Sequence, residues 1–148
     1  MNIVIAPDKF RGSLESDEVC EAMAAGVLLA FPEAQITMVP LADGGEGTAK
    51  ALTRHAGGEF ISLMVQDPLG RPIQASYGLT PDHKTAFIEM AAASGLALLS
   101  EDERNPDETT SFGTGELIND ALARGVDHII LGIGGSATTD GEWVWPPP

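Results

Sequence analysis

The chain has 148 residues, with 22 Asp and Glu against 8 Lys and Arg, so its formal net charge is −14. Hydrophobic residues make up 43% and charged ones 20%, a globular balance that excludes disorder across most of the chain and suffices for a packed core. The acidity argues against a nucleic-acid binder and an anionic membrane surface, because both forms of binding draw on cations.

Met1-Asn2-Ile3-Val4-Ile5-Ala6 reads as a buried strand that begins at once, without a signal-peptide pattern. No apolar run approaches the roughly 18 residues of a membrane span, so the expected location is the cytoplasm. Ser13 or Ser16 can cap the following helix, with Asp17 and Glu18 near its positive end. Val19, Met23, Val27 and Ala30 keep helical spacing, and Pro32 stops it. Cys20, the only cysteine, leaves no internal disulfide and no multi-cysteine zinc site, and its helical, apolar setting makes it a packing residue. Ile36 to Val39 is a second strand. Asp43-Gly44-Gly45-Glu46-Gly47-Thr48 is then a glycine-rich turn into a short helix ended by Gly57-Gly58. This β-α-β-α opening predicts a parallel sheet.

The rhythm changes next. Ile61, Leu63 and Val65 alternate, Asp67-Pro68-Leu69-Gly70 has turn chemistry, and residues 72–80 and 84–90 read as two further strands. Three consecutive strands predict an antiparallel or mixed region and a change of domain near residue 80. The spacing predicts a helix from about Thr114 to Arg124, closed by Gly125, and a strand over His128–Ile133. That strand runs into Gly134-Gly135-Ser136-Ala137-Thr138-Thr139-Asp140-Gly141. Both tryptophans fall in the last seven residues, 142–148, which close on three prolines that no helix can pass.

Three glycine-rich stretches, 43–48, 112–116 and 132–141, flank apolar segments. Glycine lets backbone N–H groups approach an anion, which matters where side-chain cations are few; the alternative is ordinary turn-making. A Walker A loop is excluded because no Gly-Lys pair occurs. Gly132-Ile133-Gly134-Gly135-Ser136-Ala137 matches the Gly-x-Gly-x-x-Ala form of the dinucleotide fingerprint, without the acidic residue expected about 20 positions later. Lys9 and Arg11, beside Asp8, lie just past the first strand and suit a carboxylate or phosphate, or else a surface ion-pair group. Asp43, Glu46 and Asp140, set in glycine turns, can bind Mg²⁺ or polarise a hydroxyl, and equally can serve local turn hydrogen bonds. Glu89, in an apolar stretch, is either a structural acceptor or a site residue. His55, His83 and His128 share no ligand spacing, and no Gly-x-Ser-x-Gly elbow is present.

Five stretches occur in order: Ala6-Pro7-Asp8-Lys9-Phe10-Arg11-Gly12-Ser13-Leu14, Ala42-Asp43-Gly44-Gly45-Glu46-Gly47-Thr48, Lys84 to Leu96, Phe112-Gly113-Thr114-Gly115-Glu116-Leu117-Ile118, and Gly132-Ile133-Gly134-Gly135-Ser136-Ala137-Thr138. Together they resemble the bacterial glycerate kinase family, which phosphorylates glycerate with ATP. The likeness runs from Met1 to about Gly141. It departs where the family often has Ser at Lys9 and Lys at Arg11, and where Glu142 follows Asp140-Gly141 in place of a second glycine. The resemblance implies an α/β fold: part of a Rossmann-like parallel sheet (residues 1–80), the beginning of a second, inserted α/β domain (81–141), and an atypical tail (142–148). Because family members are more than twice as long, the expectation is a chain truncated relative to them.

The implied substrates are glycerate and ATP, with Mg²⁺ as cofactor and no nucleic-acid or membrane partner. Placement and chemistry assign Lys9 and Arg11 to the glycerate carboxylate or a phosphate. Asp8, Asp43 or Asp140 is assigned to Mg²⁺ or the attacking hydroxyl, with Asp140 the metal candidate. Gly44, Gly45, Gly47, Thr48, Gly113, Thr114, Gly115, Gly134, Gly135 and Ser136 are expected to donate to phosphate. Two alternatives stand beside the kinase: an inactive truncated or frame-shifted product, and a small phosphate- or nucleotide-binding module.

Overall fold

A computed structural model describes residues 1–10 and 13–140. Arg11 and the tail 142–148 lie outside the described residues. The chain divides into two compact units, Met1–Asp43 and a second beginning at Gly44.

The first unit pairs strand β1 (Asn2–Ile5) in parallel with β2 (Gln35–Met38), from Asn2 opposite Gln35 to Ile5 opposite Met38. Helix α1 (Ser16–Ala30) makes the crossover, so the predicted β-α-β opening is present. Ser13 and Ser16 do not cap this helix. Glu15 is the N-cap, and a capping box joins it to Glu18, whose Oε2 accepts the Glu15 N–H at 2.8 Å. Ile5, Val19 and Cys20 are buried, and the Cys20 thiol lies 3.8 Å from the Ile5 carbonyl oxygen. Burial pushes its pKa up and nearby Asp17 adds to the effect, which keeps the thiol protonated and suits it to packing.

The second unit contains α2 (Thr48–Ala56), β3 (Glu59–Gln66), β4 (Pro72–Leu79), β5 (Thr85–Glu89), α3 (Ala91–Ser94), α4 (Phe112–Ala123) and β6 (His128–Gly132). Its four-stranded sheet has the order β3-β4-β5-β6. The first two pairings are antiparallel and the last is parallel, with Thr85 opposite His128 and Glu89 opposite Gly132. The chain is thus α/β with parallel pairs in both units and a mixed sheet in the second. The sequence reading divides it near residue 80, yet β4 and β5 pair across that point, Leu79 opposite Ala86. The compact units part at Asp43 and Gly44, and hairpin hydrogen bonds hold β3, β4 and β5 in one sheet.

Val65, Ala75, Tyr77, Leu79, Ala86 and Ile88 from the strands join Ala93, Leu117, Ile118 and Ala121 from α3 and α4 in one buried core. Two polar groups are built into its margin. The Tyr77 hydroxyl donates to Asp120 Oδ2 at 2.8 Å; burial, then this bond, holds the phenol pKa above its ordinary value. At the β3–β4 turn, Asp67 Oδ1 accepts the N–H groups of Leu69 and Arg71, both at 2.8 Å. Burial alone would raise the Asp67 pKa, but these bonds and the Arg71 guanidinium hold it below the usual carboxylate range. Among the described residues, no helix is long and apolar enough to cross a membrane.

Candidate functional site

The parallel pair β5–β6 ends at Glu89 and Gly132, which face each other in register. Ligands of open α/β sheets bind beyond such carboxyl ends. Two glycine stretches meet there. In Gly44–Thr48, Gly44 and Gly47 have φ of +90° and +92°, a region that side chains rarely adopt. The Gly44 N–H donates to Thr48 Oγ1 at 3.1 Å, and its carbonyl accepts the Gly134 N–H at 2.9 Å. The approach is close enough to require glycine on the β6 side, whereas at Gly44 the positive φ is what favours glycine. A Cβ at Gly132 would lie 2.5 Å from the Gly44 carbonyl oxygen, and one at Gly134 would lie 2.7 Å from the Gly45 nitrogen.

Glu89 ties this turn to the sheet. Its side chain sits at the end of β5 with the residue only 8% exposed. Its Oε1 accepts the Ala49 N–H at 2.6 Å and its Oε2 the Gly47 N–H at 3.1 Å. A carboxylate therefore lies at the positive end of α2, where the first N–H groups have no partner within the helix itself. Of the two roles left open by the sequence, the acceptor role is the one seen.

The loop after β6 is strapped down along its length. The Leu96 N–H donates to the Gly135 carbonyl at 2.8 Å and the Ala137 N–H to the Ser94 carbonyl at 2.9 Å. Thr109 Oγ1 donates to the Ala137 carbonyl at 2.7 Å. Asp140 Oδ2 accepts the Ser111 N–H at 2.6 Å and the Ser111 hydroxyl at 3.1 Å, which places a second carboxylate at the start of a helix, here α4. Ser136 Oγ lies 3.2 Å from Thr138 Oγ1.

The structure thus gathers Gly44, Gly45, Gly47, Thr48, Gly134, Gly135, Ser136 and Asp140 within the second unit. Gly113, Thr114 and Gly115 lie in the first turn of the helix whose start Asp140 holds. They belong to α4 rather than to a turn before it, because the helix begins at Phe112, two residues ahead of the expected start. The N–H groups of Thr114 and Gly115 donate to the Ser111 carbonyl. Thr114 Oγ1 lies 2.8 Å from Ser94 Oγ, and a Cβ on Gly113 would meet the Gln66 carbonyl oxygen at 1.8 Å. Gly113 and Thr114 serve helix packing here.

Asp8, Lys9 and Asp43 belong to the first unit, where Asp8 Oδ1 accepts the Lys9 N–H at 2.7 Å. Arg11 lies outside the described residues. Sequence reasoning missed Ser94, Thr109 and Ser111 as supports of the loop. Their one local signal is hydroxyl groups in segments that otherwise look apolar or turn-like. Among the described residues, no group of three or more His, Cys, Asp or Glu could hold a metal ion unaided.

A model of the glycerate kinase family matches residues 3–143. A glycerate kinase of Bacillus cereus is 52% identical over 141 residues, which cover 95% of this chain and 37% of the relative. The glycerate 2-kinase of Escherichia coli is 53% identical over the same shares. The crystal structure of a Salmonella typhimurium protein assigned as glycerate kinase 2 aligns at a TM-score of 0.79 and 50% identity, over 98% of this chain and 39% of its own. The chain therefore spans well under half the length of these relatives.

Proposed function

The chain belongs to the glycerate kinase family, and on that premise we propose that it acts in ATP-dependent phosphorylation of a glycerate hydroxyl, yielding phosphoglycerate. The observation that carries this reading is the meeting of the Gly44–Thr48 turn and the Gly132–Asp140 loop at the carboxyl ends of β5 and β6. Phosphoryl transfer asks little covalent chemistry of a protein and much positioning. The bond from the terminal phosphorus to the bridging oxygen of ADP breaks, a bond to the glycerate oxygen forms, and the hydroxyl proton leaves to a base. A turn of backbone amides and hydroxyls is suited to orienting the phosphate oxygens.

Gly44, Gly45, Thr48, Gly134, Gly135 and Ser136 border the phosphate side in this reading. Lys9 and Arg11 neutralise the glycerate carboxylate or a phosphate, and Asp8 or Asp43 takes the hydroxyl proton. The donor set also fits Mg²⁺, which commonly takes one or two carboxylates and completes its shell with phosphate and water. Asp140 is the candidate carboxylate, with Oδ2 already held by Ser111. Magnesium would supply charge neutralisation at the phosphates. The name of the Escherichia coli relative, glycerate 2-kinase, favours the 2-hydroxyl as acceptor.

A coupled assay of ADP release with D-glycerate, ATP and Mg²⁺ tests the proposal on the full chain. The expected result is release that requires both glycerate and Mg²⁺, with 2-phosphoglycerate as product. No release from a chain that is folded by circular dichroism would overturn it. A second reading, nucleotide binding without transfer, is favoured by coverage: the chain matches only 37% of the Bacillus cereus relative. Saturable Mg–ATP binding with no turnover would select that reading.

A further inference from the structure

Glu89 is a buried carboxylate that joins the sheet to the glycine turn, and the reaction outlined above does not use it. It lies at the last position of β5, opposite Gly132, and reaches residues 42 and 40 positions earlier in the chain, Gly47 and Ala49. Both are backbone donors at the start of α2, whose N-cap is Gly47. A helix of this kind attracts an anion at its N-terminus, and here the anion is part of the protein. The turn so held is the one that Gly132 and Gly134 touch at distances no side chain would permit.

We propose that Glu89 is a positioning residue: its carboxylate is the internal anion of the α2 N-terminus. It fixes the Gly44–Thr48 turn over the ends of β5 and β6, and substrate phosphate does not occupy that terminus. The proposal rests on the reading above, in which this turn borders the phosphate site, and adds to it which donors are withheld from substrate. The Gly47 and Ala49 amides belong to Glu89. Phosphate oxygens must be met by other groups of the turn and of the Gly134–Ser136 segment.

Two variants test this in the full chain. Glu89→Gln keeps the shape but offers one acceptor oxygen and an NH₂ group to two donors. Hydrogen exchange at the Gly47 and Ala49 amides is expected to quicken about tenfold or more, and Mg–ATP affinity to weaken about tenfold. Glu89→Ala opens a space that acetate fills. Acetate at about 0.1 M is expected to return exchange at both amides to within about threefold of the parent chain, and acetamide, of the same shape but neutral, is not. Equal effects of acetate and acetamide would overturn the proposal, because packing alone would then account for Glu89. So would unchanged exchange, or unchanged Mg–ATP affinity, in Glu89→Gln. Should Glu89→Ala not fold, the Glu89→Gln readouts decide alone. Failure of the parent chain to bind Mg–ATP would sink the proposed function, and exchange and acetate rescue would still decide the role of Glu89.

Discussion

Gly78 and Gly26 look alike in the sequence and have opposite physical meanings. Gly78 lies in β4 beneath Thr53 of α2, and a Cβ there would sit 1.5 Å from Thr53 Oγ1. Thr53 cannot yield readily: it is fully buried and its hydroxyl donates to the Ala49 carbonyl at 2.6 Å. Gly26, inside α1, has nothing within 4 Å of its Cβ position. Gly78→Ala should therefore cost about 2–3 kcal/mol through overpacking, whereas Gly26→Ala should gain about 0.5–1 kcal/mol from helix propensity. Urea unfolding followed by circular dichroism measures both, and a Gly78→Ala chain as stable as its parent would refute the close contact. The same contrast limits how much of the site can be read from residue types. Gly44 and Gly113 both sit in glycine-rich stretches next to Thr, yet one forms the turn at the strand ends and the other packs a helix on Gln66. The difference lies in what approaches each backbone from distant parts of the chain.

Helices and strands were legible wherever local chemistry decides them. Pro32 and Gly57 end α1 and α2 as their backbone restrictions require, and the alternation of Ile61, Leu63 and Val65 marks β3. Helix starts were less legible, because carboxylates from neighbouring or remote residues can occupy them. At α1 the cap is Glu15 with Glu18, in place of the expected serines. At α4 the N-terminus receives Asp140, 29 residues beyond Ser111, so the helix can begin at Phe112. Asp140→Ala should accordingly destabilise the second unit by about 1 kcal/mol and quicken exchange at the Ser111 amide. Adding MgCl₂ without nucleotide should not change that loss. If Mg²⁺ stabilises the parent chain and not the variant, Asp140 acts as a metal ligand in the free protein rather than as a helix support.

For the whole molecule, charge is the dominant property that sequence alone supplies. A net charge of −14 on 148 residues sets like charges against one another, and screening relieves that repulsion. Raising NaCl from about 0.01 M to about 0.3 M should therefore raise the unfolding temperature by a few degrees. A fall would show that attractive pairs such as Lys84–Asp127 and Arg124–Asp120 outweigh the repulsion. Composition, periodicity and turn residues were enough to establish an acidic α/β chain, most of its elements, and the glycine stretches by which it resembles its family. Those features depend on each residue and its near neighbours, through backbone sterics and hydrophobic spacing. The division at Asp43 and Gly44, the pairing of β5 with β6, and the assignment of Glu89 and Asp140 to helix N-termini depend on partners far away in the chain. A carboxylate in an apolar stretch announces that it must be satisfied; only the folded arrangement selects the donors that satisfy it.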